Sequence, residues 1–197
     1  MSAPRIEIDL SKIASNAGSL VELTAGKGVR VTAVTKAFGG RPDIARALVG
    51  AGVAALGDSR IENLERLRTD CVQSPTVLIR SPMPSQTQRV VRAVDLSLNT
   101  EIETIELLSK SAVDLDVEHR VVLMVELGDL REGFMPEEVD EALKRVLDLP
   151  HLHFAGIGTN LACRSGVIPD GANMGELSRL ADRLESDHSV SVDVVSG

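Results

Sequence analysis

The sequence predicts an α/β fold in which parallel strands alternate with covering helices, and three observations carry that reading. Seven short runs rich in β-branched and aliphatic residues recur along the chain. The gaps between them hold segments whose apolar residues repeat at helical spacing. No low-complexity linker interrupts the series, so residues 1–197 are expected to form one domain. Such an alternation builds a sheet that is either doubly wound or closed as a barrel, and periodicity does not choose between the two.

The first helix is expected from Leu10, where Leu10, Ile13, Ala14, Ala17, Leu20 and Val21, with Thr24, share one face; Ser11 lies near its start and Gly26 at its stop. The first strand is expected over 29–35, inside "VRVTAVTKAFGG". The others are "VAALG" from Val53, "TVLIR" from Thr76, "AVDLSL" from Ala93, "HRVVLMVEL" from His119, "LHFAGIG" from Leu152 and "VSVDVV" from Val190. Between them, Ile44, Ala47, Leu48 and Ala51 mark one amphipathic helix and Ile61, Leu64 and Leu67 the next, with a weaker one at 84–92. Val139, Ala142, Leu143 and Val146, then Met174, Leu177, Ala181 and Leu184, repeat the pattern. Ser59 three before Glu62 and Thr100 three before Glu103 read as capping boxes, and Pro42 and Pro136 as first-turn prolines.

Composition narrows the function. A formal charge of −8 without a Lys/Arg cluster argues against nucleic acid, leaving small molecules as the expected partners. With 2% aromatic residues, and neither Trp nor Tyr, the core must be aliphatic. Cys71 and Cys163 are too far apart for metal-ligand spacing or a disulfide framework, which suits a reducing cytoplasm. No export signal opens the chain, and the longest apolar run, "VVLMV", is strand-sized, so no membrane association is expected.

In either architecture the chemistry gathers where strand carboxyl ends meet loops. The residues to examine are therefore Lys36, Asp58 to Arg60, Arg80, Asn99, Gly128 to Arg131, and Thr159 to Arg164. Lys36 is the most informative. A lysine at the end of an apolar strand is partly desolvated, which favours the neutral amine that condenses with a carbonyl. It can equally be a rim cation whose stem lies along the core. Asp58, Ser59 and Arg60 read first as a helix cap with a flanking charge. Cys163 reads as a packed thiol. His119, His151, His153 and His188 fall at strand starts or a helix end, opposite the expected site, so none is assigned a ligand role and no metal is expected.

Taken together and in order, "RIEIDLSKIASN", "AVTKAFGG", "LGDSRIENLERL", "LIRSPM", "VELGDLREGF", "GIGTNLACRSGVIP" and "VVSG" resemble the alanine/ornithine racemase family of pyridoxal-phosphate (PLP) enzymes. The likeness covers nearly the whole chain. It is nearer to the ornithine-racemase-like branch, whose patterns include "DSRI-N-L", "LGDLREG" and "G-NL-C".

The resemblance implies a (β/α)8 TIM-type barrel, seven of its eight strands in this chain, with PLP at the carboxyl-end mouth linked through its aldehyde to Lys36. It implies amino-acid racemisation in which the Lys36 amine removes or returns the α-proton, with an opposite-face base that the resemblance does not assign here. Arg131 would neutralise the cofactor's phenolic oxygen or a substrate carboxylate; its local alternative is an ion pair with Glu132 or Asp129. Asn160 would hydrogen-bond the cofactor ring or the substrate, and otherwise forms a turn. Ser196 and Gly197 match the start of the family's phosphate loop. Asp129 or Glu126 could receive a basic substrate. The family's tyrosines have no counterpart here; Phe38 lies near the first of them and cannot donate a proton. Relatives continue past this point into an eighth strand and a β domain, so the chain is expected to be truncated, poorly active alone and homodimeric in full-length form. Two other readings stand beside the racemase: a non-catalytic PLP-binding protein of cofactor homeostasis, and a doubly wound enzyme or binder without PLP.

Overall fold

The computed structural model describes residues 4–162 and 165–197. Cys163 and Arg164 lie outside them, and with them the packing proposed for the Cys163 thiol. The chain divides into two compact units, Met1–Val77 and Leu78–Gly197, with the boundary inside the third strand.

The first unit holds α1 (Leu10–Ala25), β1 (Thr32–Val34), α2 (Pro42–Gly50), β2 (Ala55–Asp58) and α3 (Ile61–Thr69), and reaches into β3 (Thr76–Leu78). Strands β1 and β2 run parallel, with Thr32, Ala33 and Val34 opposite Ala55, Leu56 and Gly57. Burial follows the helical spacing: Ile44 on α2 and Ile61, Leu64 and Leu67 on α3 enclose Leu56 of β2, all 2% exposed or less. Each such aliphatic side chain contributes roughly 1.5–3 kcal/mol on leaving water. Helix α1 behaves differently, because of its apolar stripe only Ala17 is buried while Leu20 and Leu23 stay exposed.

The second unit holds α4 (Thr87–Ala93), β4 (Leu96–Asn99), α5 (Ile102–Leu115), β5 (His119–Val125), α6 (Val139–Leu147), β6 (Leu152–Thr159), α7 (Asn173–His188) and β7 (Val194–Ser196). Here β4, β5, β6 and β7 pair in chain order and in parallel. Residues Val121 to Val125 of β5 are all buried, as expected of a strand covered on both faces. Helix α6 shows the sequence logic most plainly: Val139, Ala142, Leu143 and Val146 are buried. Its Asp140 and Glu141 occupy the first turn and Lys144 and Arg145 the last, matching the helix dipole.

All seven expected strands are present. The helix starts are shifted: α3 and α5 are capped at Arg60 and Glu101, one residue after the expected Ser59 and Thr100, and neither has a side-chain cap hydrogen bond. Pro42 occupies the first turn of α2, whereas Pro136 lies three residues before α6. Among the described residues no helix is long and apolar enough to cross a membrane.

Candidate active site

In the first unit the chain leaves β1 through Thr35 and enters a single 3-10 turn, Lys36–Phe38. Lys36 therefore stands at the carboxyl end of β1, as its sequence context implies. The strand-end burial expected of it is not observed: Lys36 is exposed, and so are Thr32 and Val34 of the strand before it. Its amine has no hydrogen-bond or ion-pair partner among the described residues. The turn closes on Thr35, whose carbonyl accepts the amides of Phe38 and Gly40, each at 3.2 Å. Gly39 and Gly40 adopt φ of 63° and 64°, the left-handed region that glycine enters at little cost. Gly40 also has no room for a side chain, because a Cβ there would lie 2.7 Å from Asn63 Cβ.

Behind this turn is a buried carboxylate. Asp58 ends β2 with no exposure, and its Oδ2 accepts Thr35 Oγ1 at 2.6 Å and Asn63 Nδ2 at 3.0 Å. Its Oδ1 accepts the Arg60 amide at 2.9 Å. The helix cap expected of Asp58 is not observed, because its Oδ1 accepts the amide of the N-cap residue itself and α3 has no side-chain cap hydrogen bond, while its other oxygen faces the turn that carries Lys36. Thr35 and Asn63 escaped the sequence reading; the available signal was a polar Asn one residue before Leu64 on an otherwise apolar helix face. Arg60 and Arg80 are exposed.

In the second unit, the loop after β5 is organised by Glu126. Its carboxylate accepts the amides of Gly128 at 2.5 Å, Leu130 at 3.0 Å and Arg131 at 3.3 Å. Arg131 itself forms an ion pair with Glu132 at 2.5 Å, the local partner its sequence neighbourhood offers. Asp129 is buried, and its Oδ1 accepts the Ser165 amide at 2.7 Å, which ties this loop to the one after β6. The carboxylates of Glu126 and Asp129 are accordingly engaged with backbone.

Asn160 directly follows β6 and is half-buried; Ser196 ends β7 opposite Gly158, followed by exposed Gly197. The Asn160 amide and the Ser196 hydroxyl have no hydrogen-bond partner among the described residues. At the opposite, amino end of the strands, His119 is buried, with Nε2 at 2.8 Å from Ser97 Oγ. Burial pushes its pKa down to about 4, against smaller upward effects of the Val94 backbone and Asp95. Asn99 ends β4 fully buried and donates to Ser97 O at 2.8 Å and Ser97 Oγ at 3.1 Å, so it braces this cluster.

The family model for the alanine racemase N-terminal domain matches residues 8–197. The chain belongs to that family. It is 36% identical over 195 residues to an ornithine racemase of Acetoanaerobium sticklandii, a match covering 98% of this chain and 55% of that relative. The chain spans about half the length of the curated relatives it matches. An alanine racemase of Clostridium difficile 630 superimposes with a TM-score of 0.78 at 18% identity, covering 95% of this chain and 52% of that one. PipY of Synechococcus elongatus PCC7942, solved with PLP bound, superimposes with a TM-score of 0.72 at 18% identity, covering 91% of this chain and 85% of that one. The fold is therefore that of the family's (β/α)8 TIM-type barrel, with seven of its strands in this chain.

Proposed function

We propose that this chain is the barrel portion of a PLP-dependent amino-acid racemase, with Lys36 as the cofactor's anchor and as an acid/base. The observation that carries the reading is Lys36 itself: in a chain of this family, an accessible amine with no partner among the described residues stands at the carboxyl end of the first strand.

The donor set fits the cofactor. An amine suits its aldehyde. Ser196 and Gly197 offer a hydroxyl and backbone N–H groups for its phosphate, Arg131 a guanidinium for an anionic oxygen, and Asn160 a two-way hydrogen bond. PLP, when bound, supplies an electron sink for a carbanion at the substrate's α-carbon. Lys36 Nζ would take or return the α-proton on one face of the substrate, and inversion requires a second acid/base on the opposite face. Two supports come from the chain: the Thr35 turn holds Lys36 at the strand end, and Glu126 holds the loop of Arg131.

The substrate class proposed is a basic amino acid, after the ornithine racemase likeness. The proposal includes a homodimer for the full-length protein and a cytoplasmic setting, the latter supported by two cysteines far apart in sequence. The test is the visible spectrum of the purified protein with added PLP, before and after borohydride, with peptide mapping of the label. A band that borohydride fixes on Lys36 is expected; a protein that stays colourless overturns the reading. α-Deuterium exchange into ornithine, lysine or alanine by the full-length protein separates a racemase from a protein that only binds the cofactor.

A further inference from the structure

The carboxylate of Asp58 is unusual for where it lies. It is fully buried, yet its donors are all neutral: the Thr35 hydroxyl, the Asn63 amide and the Arg60 backbone N–H. Among the described residues it has no cationic partner. Burying a carboxylate is costly unless its lone pairs are filled. The Arg60 contact only closes a local turn ahead of α3. The second oxygen reaches 23 residues back along the chain to Thr35, the residue immediately before Lys36.

Besides its own internal hydrogen bonds, the lysine turn is held from the end of β2 and from α3. The Thr35 amide donates to Gly57 O at 2.8 Å and its hydroxyl to Asp58 at 2.6 Å, so the peptide entering Lys36 is held by both main chain and side chain. Asn63, bound to the same Oδ2, packs against Gly40 so closely that no Cβ fits there. Arg66, one helical turn further on, donates Nη1 to Gly39 O at 2.8 Å. The end of β2 and the first face of α3 thus form a bracket around residues 35–40.

We infer that Asp58 is a positioning residue for Lys36: acting through Thr35 and Asn63, it sets the direction in which the lysine leaves the strand end. This rests on the reading of Lys36 as the cofactor's lysine. A carboxylate suits the task because it only accepts, so it dictates the orientation of both donors, whereas an amide could flip and release one of them.

The test uses the 197-residue chain and Thr35→Val, which removes the hydroxyl with little change in volume, beside Thr35→Ser, which restores it. Asp58→Asn is the third variant, and Val53→Ala, buried just before the amino end of β2, a core-destabilised control away from the bracket. Two quantities are read at a temperature where all are folded: hydrogen–deuterium exchange at the Gly40 amide without cofactor, and the rate of borohydride-fixed labelling of Lys36 at subsaturating PLP. Loss of one buried hydrogen bond is expected to speed Gly40 exchange and slow Lys36 labelling by about tenfold in Thr35→Val. Thr35→Ser stays near wild type, and Val53→Ala alters neither.

Wild-type exchange and labelling in Thr35→Val would overturn the inference, as would equal losses in Val53→Ala. If Asp58→Asn fails to fold, the Thr35 pair decides. If the wild-type protein takes up no PLP, the cofactor reading fails on its own, and the Gly40 exchange still decides whether the bracket holds the turn.

Discussion

Gly156 in β6 and Val194 in β7 approach so closely that a Cβ on Gly156 would lie 1.9 Å from the Val194 carbonyl oxygen. Gly156 also holds φ at 148°, a backbone state that L side chains rarely adopt. The β6–β7 pairing that carries Ser196 and Gly197 therefore depends on a missing side chain. Gly156→Ala combines overpacking with backbone strain and is expected to cost roughly 2–5 kcal/mol, a large share of a domain's stability. A lower urea midpoint with an unchanged slope is the expected result. A midpoint equal to wild type would show that β7 moves away without penalty.

Lys36→Ala should be nearly silent in stability, because the side chain is exposed and its amine has no partner among the described residues. A melting transition equivalent to wild type within about 0.5 kcal/mol is expected, together with complete loss of borohydride-fixed PLP. The pairing of the two readouts matters: loss of cofactor with an intact fold assigns the amine to chemistry, whereas loss of both would assign it to structure.

His119 gives the fold a defined acid sensitivity. Its pKa is lowered from 6.5 to about 4 by burial, so between those values the unfolded chain binds a proton that the folded chain does not. Stability from this group is whole above the unfolded value and is lost as pH falls through the window from 6.5 towards 4. The total is on the order of 3 kcal/mol. His119→Gln should flatten the stability profile across that window, at some cost at neutral pH from the altered contact with Ser97. A profile with the same slope in the variant would mean that other groups carry the titration.

The strands were legible because each is a short apolar run bounded by turn residues, and the helices because Val139, Ala142, Leu143 and Val146 and their equivalents repeat at the right interval. The extent of β1 was not. The β-rich run covers 29–35, yet only Thr32–Val34 forms strand, since Thr35 already turns into αR backbone to start the Lys36 turn. Position at a strand's carboxyl end could be read for Lys36, Asn160 and Ser196, whereas the bond from Thr35 to Asp58 could not. It joins residues 23 apart, and no local pattern encodes it. Similarly, Glu126 reads as a candidate substrate acid until the loop's amides are seen to point at it.

That last arrangement makes a prediction about Arg131. The loop from Gly128 to Gly133 contains Leu130 at φ of 52° and 72% exposure, a left-handed state that costs a non-glycine residue about 1–2 kcal/mol. Leu130 buries no side chain to offset the strain, so polar contacts hold this shape, among them the three amides gathered by the Glu126 carboxylate and the bonds that Ser165 donates to Asp129. Glu126→Gln keeps the size but turns one acceptor into a donor facing N–H groups, which removes at least one of the three bonds. The loop should then open more often, at a net cost near 1 kcal/mol because the side chain is only half-buried. Trypsin cleavage after Arg131 is the sensitive readout, since it samples the open loop directly; roughly a fivefold faster cut is expected with the rest of the digest unchanged. Cleavage at the wild-type rate would place the ordering of Arg131 with its ion pair to Glu132 instead, and Glu132→Gln would then be the variant that frees it.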